Sequence, residues 1–246
     1  MAIRNIKLTI SYDGINYSGW QYQPGKRTIQ GELQRAISEL TGVFTKVNGA
    51  SRTDAGVSAL GQVTNFSLDS PIPTENLVKA INHRLPKDII ITEAVEVDPE
   101  FDASAFAKSK LYRYTIFTGK KRNVLKTRNC WHRPSVLDIA AMVDAAKLLI
   151  GKKDFKSFAS AADARENSVR TIFRCDVTAE DDWVYVDVEG DGFLYNMVRN
   201  IVGTLVEIGR GKWKPEKINQ IIEAKDRTKA GPIAPAEGLC LMWIKY

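Results

Sequence analysis

Apolar and polar positions alternate first where Ile6, Leu8 and Ile10 are interleaved with Lys7 and Thr9, which predicts a strand that stops at Asp13-Gly14. After a polar loop the period changes. From Thr28, a good N-cap, the positions Ile29, Leu33, Ala36, Ile37 and Leu40 follow helical spacing until Gly42 ends it. Two strand-like segments come next: Val43 to Asn48, β-branched and aromatic, and a run in which Thr64, Phe66 and Leu68 alternate with Asn65 and Ser67. Thr74 caps a helix carrying Leu77, Ala80, Ile81 and Leu85 and ended by Pro86, and Ile89 to Val97 makes another strand. The first half is therefore β-α-β-β-α-β.

The second half has the same rhythm. Leu111 to Thr118 is a strand, and Ser135 with Asp138 forms a capping box before the helical positions Ile139, Met142, Val143, Ala146, Leu149 and Ile150. Ser168 to Thr178 and Trp183 to Glu189 make a hairpin around Glu180-Asp181-Asp182. A helix from Phe193 to Ile208, a short helix after Pro215 and a strand from Leu239 to Ile244 complete the chain. The halves share order but not residues, so any duplication is architectural. The expected fold is α+β: two ferredoxin-like or RRM-like β-α-β-β-α-β halves, 1–105 and 106–246, with largely antiparallel sheets joined around a central cleft. The aromatic Arg-Gly-Phe-Gly-Phe type motif of RNA-recognition modules is absent.

Composition narrows the partners. Two modest domains suit 246 residues, and 35 Lys and Arg against 29 Asp and Glu give a net charge of +6, which favours a polyanion. Cys130, Cys175 and Cys240 lie far apart with no C-x-x-C, and the chain has 2 histidines, so neither a zinc site nor a disulfide framework is expected. Buried thiols in a reducing compartment fit better. Met1 to Ile10 has no continuous apolar core and no apolar run reaches membrane-spanning length, so a cytoplasmic protein with no membrane partner is expected.

Chemistry concentrates in Ala50-Ser51-Arg52-Thr53-Asp54-Ala55-Gly56-Val57, a loop tethered between two strands. If Arg52 to Asp54 is extended, a guanidinium and a carboxylate two residues apart face the same ligand. Asp-Ala-Gly is also an ordinary turn sequence. On the helix Phe193 to Ile208, Arg199 sits among Leu194, Met197, Val198, Ile201, Val202, Leu205 and Val206, where a buried cation needs a carboxylate. Asp54 across the cleft is one candidate; Glu189, Asp191 or an escape to the surface are others. Tyr17, Trp20 and Tyr22 among polar residues fit either an RNA-facing loop or one pinned by buried rings. Lys120-Lys121-Arg122 with Lys126 and Arg128, and Lys152-Lys153 with Lys156, are basic loops suited to solvent or to phosphate. His83, near a helix C-terminus, has a surface role.

Several of these segments, in order, resemble the tRNA pseudouridine synthase A family: Ser11-Tyr12-Asp13-Gly14, Gly19-Trp20-Gln21, Thr28-Ile29-Gln30-Gly31, the string from Ser51 to Val63, Tyr112-Arg113-Tyr114 and Leu194 to Asn200. They span nearly the whole chain. Ser51 and Ser58 depart from the family's usual Gly and His, which bears on RNA contacts at the loop's edge. The resemblance implies the pseudouridine synthase fold and an isomerase that turns uridine into pseudouridine at positions 38, 39 and 40 of the tRNA anticodon stem-loop. It implies a homodimer and no cofactor or metal. It casts Asp54 as nucleophile, Tyr112 as the ring stacked on the flipped uracil and a proton-transfer residue, Arg199 as orienter of the carboxylate, and Arg52 as phosphate clamp or wedge. Two rivals stand beside it. One is an RNA-binding protein without catalysis. The other is a small-molecule enzyme using Asp54 as base, against which stands the lack of a glycine-rich phosphate loop.

Overall fold

The computed structural model describes residues 3–246; Met1 and Ala2, the start of the segment that lacks a signal-peptide pattern, lie outside the described residues. The chain divides into two compact units, Met1–Lys108 with Leu241–Tyr246, and Ser109–Cys240. Each is a mixed α+β unit with mostly antiparallel strands.

The first unit follows the alternation of its sequence. β1 (Arg4–Tyr12) buries Ile6, Leu8 and Ile10 completely and pairs antiparallel with β3 (Ser58–Leu68) on one side and β4 (Ile89–Val97) on the other. A register shift between Ile10 and Tyr12 bends the β1/β3 ladder next to the Asp54 loop. α1 (Ile29–Thr41) is capped by Thr28, whose hydroxyl accepts from Gly31 N, and ends at Gly42 in the left-handed region, φ 76°. α2 (Thr74–Asn82) starts after Pro73 and stops before His83, which is exposed. Val43 to Asn48 is not a strand: only Asn48–Gly49 (β2) pairs with β3, and Val43 and Phe44 are exposed at 67% and 74%. β-branched composition alone does not supply a partner.

In the second unit β5 (Ser109–Phe117) pairs with β9 (Trp183–Gly190), β9 with β8 (Val169–Glu180), and β8 with β7 (Gly151–Asp154), all antiparallel. β6 (Trp131–His132) lies parallel on β5. β7 corrects the expectation of a basic loop at Lys152-Lys153: the two lysines lie in a strand, and Lys153 donates to Leu148 O. The capping box is also corrected. Asp138 caps α3 (Ile139–Lys147) by accepting from Ala141 N, while the buried Ser135 Oγ has no hydrogen-bond partner among the described residues. The β8/β9 hairpin turns at Asp181, φ 50°, where the sequence places its acidic run. α4 (Met197–Gly209) begins four residues later than its apolar pattern, because Asn196 adopts φ 62° ahead of it; every residue of α4 except Arg199 is buried. α5 (Lys217–Ala224) follows, and the last strand, β10 (Leu239–Lys245), adjoins β3 through residues that belong to the first unit. Cys130 and Cys175 are buried free thiols, and no helix of the described residues is long and apolar enough to cross a membrane.

Candidate functional site

The loop from Ser51 to Val57 is fixed by the segments that sequence spacing had left scattered. Ser51 is held on both backbone groups by one side chain: Gln62 Nε2 donates to Ser51 O at 2.6 Å, and Ser51 N donates to Gln62 Oε1 at 3.2 Å. Gln62 is completely buried, and its amide reaches Tyr12 OH at 3.4 Å. Thr53 turns inward, its hydroxyl 2.8 Å from Tyr12 OH, and its carbonyl accepts from Trp20 N at 3.0 Å. Arg52 is exposed and Asp54 half-buried, so the alternation expected of an extended Arg52-Thr53-Asp54 is present. Arg52 makes no hydrogen bond or ion pair among the described residues. Beyond Asp54 the chain reverses. Val57 N donates to Asp54 O at 3.1 Å, with Gly56 at φ 81° in the position where a left-handed residue is required. The Asp-Ala-Gly turn is thus real, and the carboxylate rides on it.

Two glycines let the surrounding chain close on this turn. A Cβ on Gly14 would lie 1.9 Å from Val57 O, and one on Gly19, itself at φ 91°, would lie 2.8 Å from Thr53 O. Ser58 is buried at the site where its family departure suggested an RNA-facing edge; its Oγ accepts from Gly14 N at 3.0 Å. Tyr17 and Trp20 are 3% and 2% exposed and pin the loop from beneath, whereas Tyr22 is 55% exposed. Tyr17 O accepts from Gly56 N at 3.3 Å, and its hydroxyl donates to Asp88 at 2.5 Å. Burial, then that carboxylate, pushes the Tyr17 phenol far above its ordinary value. Arg27 completes the clamp, paired with Asp88 and 4.3 Å over the Tyr17 ring.

The second unit holds the other expected residues. Tyr112 is 6% exposed on β5 and meets Phe193 edge-to-face, with centroids 5.3 Å apart. Arg113 points to the opposite face and is committed to Asp187 through two 2.8 Å hydrogen bonds. Tyr114 is fully buried and donates to Pro235 O at 2.7 Å. Lys110, two residues before Tyr112 and therefore on its face, was not singled out by sequence reasoning; burial brings its ammonium down to about 8. The alternation that selected Tyr112 could have found it.

Arg199 is oriented by the strap beside α4. Its Nε donates to Ala234 O at 2.8 Å, its Nη1 to Asn196 Oδ1 at 3.0 Å, and Ala234 N donates back to Arg199 O at 3.2 Å. The two local carboxylates considered for it have other partners: Asp191 accepts from Thr171 N, and Glu189 from Ser109 Oγ. The strap lies so close that a Cβ on Gly203 would meet Pro232 O at 1.7 Å. Ahead of α4, Asp163 accepts from Tyr195 N at 2.7 Å and from Nε and Nη2 of Arg165, whose Nη1 donates to Phe193 O at 3.1 Å. The ring against Tyr112 is thereby fixed through its own backbone.

A family model for tRNA pseudouridine synthases matches residues 8–104 and 145–246. The chain is similar to tRNA pseudouridine synthase A of Caldicellulosiruptor saccharolyticus, 46% identical over 244 residues that cover 99% of this chain and 100% of that protein. It is 47% identical over 244 residues to the protein of that name from Acetivibrio thermocellus, with the same coverage. To the one from Geobacillus kaustophilus it is 46% identical over 245 residues, covering 99% of this chain and 95% of the relative.

Proposed function

The chain belongs to the tRNA pseudouridine synthase A family, an isomerase family acting on tRNA, and from that membership we propose how its residues carry out the reaction. Uridine becomes pseudouridine when the bond from N1 to C1′ breaks, the base turns, and C5 bonds to C1′. The C5 proton is released and N1 regains one, with no redox change and no net water, so the chemistry calls for no cofactor. Asp54 is the nucleophile, toward ribose C1′ or uracil C6. Either attack needs an ionised carboxylate held in one rotamer. Tyr112 presents its ring to the extruded uracil and takes part in moving the C5 proton. Arg199 is the cation that keeps the nucleophile ionised and oriented. Exposed Arg52 serves as phosphate clamp or wedge.

The observation that carries this reading is the multiple anchoring of the Asp54 turn by Gln62, Tyr12, Trp20 and Tyr17, with glycines cut away so that the chain can close on it. A surface turn needs none of this. The substrate is tRNA, and the proposed targets are uridines 38, 39 and 40 of the anticodon stem-loop, handled by a homodimer. Tritium at uridine C5 of unmodified tRNA should be released to water on incubation with the protein; retention of the label would refute the synthase reading. Mapping pseudouridine in the product tests the positions, and sedimentation tests the dimer.

A further inference from the structure

The C-terminal end of α4 carries a second concentration of charge, roughly 16 Å along the helix from Arg199 at ~1.5 Å per residue. Glu207, with 7% of its side chain exposed, is met by Arg210 at 2.9 Å, Lys212 at 2.9 Å and Arg133 at 4.0 Å. Burial pushes this carboxylate up, but the hydrogen bonds from Lys212 and Arg210 outweigh it and leave the group below its ordinary value. One cation would neutralise it, and the helix terminus accounts for about half a charge more. Three cations leave a positive surplus. The nearby Asp138, whose N donates to Gly209 O at 2.7 Å, caps α3 by accepting from Ala141 N, and the ion pairs of Arg133, Arg210 and Lys212 all run to Glu207.

The surplus is held at a cost. Arg133 is pushed below its ordinary value by burial and then by the like charge of Arg210, and its buried Nε has no hydrogen-bond partner among the described residues. Two of the cations also lie beside tryptophan rings, one of them in Arg210-Gly211-Lys212-Trp213-Lys214. Lys212 lies 5.0 Å from the Trp213 ring centre, and Arg133 lies 4.9 Å from that of Trp131. Arg210 and Lys212 remain 45% and 56% exposed. Complementing a helix dipole explains one of these residues, not the set.

We propose that this end of α4 is a docking surface for the phosphate backbone of tRNA, away from the reacting base. Phosphate binding of this kind fixes the register of the substrate without reading its sequence, and an incoming phosphate relieves the repulsion among Arg133, Arg210 and Lys212. The proposal rests on tRNA being the substrate. Its test is the affinity of the full-length protein for unmodified tRNA, measured by filter binding across a salt series. Arg210→Gln combined with Lys212→Gln should raise Kd at low salt by about tenfold or more and flatten the slope of log Kd against log salt by about 2, one for each phosphate that the variant no longer neutralises. Glu207→Gln, which keeps the cations, should bind as tightly as the parent or tighter. An unchanged salt slope in the double variant overturns the proposal, as does a loss of affinity in Glu207→Gln equal to that of the double variant, since the cluster would then serve only the fold. Failure of the unaltered protein to release tritium from tRNA would instead refute the synthase reading, so the two failures are distinguishable.

Discussion

Gln62 does with a side chain what a strand does with its backbone, pairing with both the N–H and the C=O of Ser51. Replacing it by Leu would remove both of these part-buried hydrogen bonds, each worth about 0.5–1.5 kcal/mol. The expected result for Gln62→Leu is a lowered melting temperature and at least a tenfold fall in kcat, with tRNA affinity little changed, because the loss falls on the placement of Asp54. Equal activity would show that the amide does not position the loop. Asp54→Asn is isosteric and should abolish tritium release while leaving Kd for tRNA within a few-fold. Asp163 offers a pH test. Hydrogen bonds from Arg165 and from Tyr195 N outweigh burial and hold its carboxyl well below the usual range. A depressed folded value means that the stability it contributes is full above the unfolded value of ~4 and is lost as pH falls below that. Asp163→Asn should therefore cost about 1–3 kcal/mol at pH 7 in urea unfolding, with the gap to the parent narrowing below pH ~4. Of these residues Asp54 stood out in the sequence for its chemistry and Ser51 only as a departure from the family pattern; Gln62 and Asp163 did not. A buried glutamine bonding to a residue eleven positions away leaves no local periodicity, and Ser58 looked like an edge contact until its bond to Gly14 N appeared.

Among the elements, the legible ones buried a face with a clear period. β1, β4, α1 and the β8/β9 hairpin match their patterns closely because alternation or helical spacing is enforced by the core beneath them. β2, β6 and β7 were missed or misjudged because two to four residues carry no period, and their existence depends on a neighbour supplied from elsewhere. Asp138 displaced Ser135 as cap for a related reason: the start of α3 is set by where the chain leaves Gly209 O, not by motif spacing alone. The Asp13-Gly14 end of β1 was read as a stop signal, yet its larger consequence is room. With Val57 O 1.9 Å from the position of a Cβ, Gly14→Ala must push the Asp54 turn outward or break the Ser58 hydrogen bond. Circular dichroism should show a folded protein for this variant, while tritium release falls by a hundredfold or more. Retained activity would mean that the turn tolerates displacement and that its anchoring is not what positions the carboxylate.

At the scale of the whole molecule, the first unit is closed by the end of the chain. Sequence order placed the last strand in the second half, since nothing local announces which distant strand it will join. Leu241–Tyr246 instead forms part of the first unit. There Ile244 and Tyr246 pack with Phe101 on a core of Ala50, Val63 and Ala103. Tyr246 OH donates to Ala103 O at 2.8 Å, and Lys108 N donates to Lys245 O at 2.8 Å. Ala50 is the residue before Ser51, and its N donates to Val63 O at 2.8 Å, so the C-terminus supports the root of the Asp54 loop. Tyr246→Ala removes a ring packed 5.1 Å from that of Phe101 together with a hydrogen bond, and should cost about 2–3 kcal/mol. Tyr246→Phe, which keeps the ring, should cost about 1 kcal/mol or less. Because the damage begins under Ala50, kcat should fall in Tyr246→Ala at temperatures where the protein is still folded, and Tyr246→Phe should restore most of it. If both variants lose stability in this order but keep full kcat, Leu241–Tyr246 staples the fold without reaching the site; a loss of kcat in proportion to the loss of ring packing would show that this segment helps to hold the nucleophile's loop.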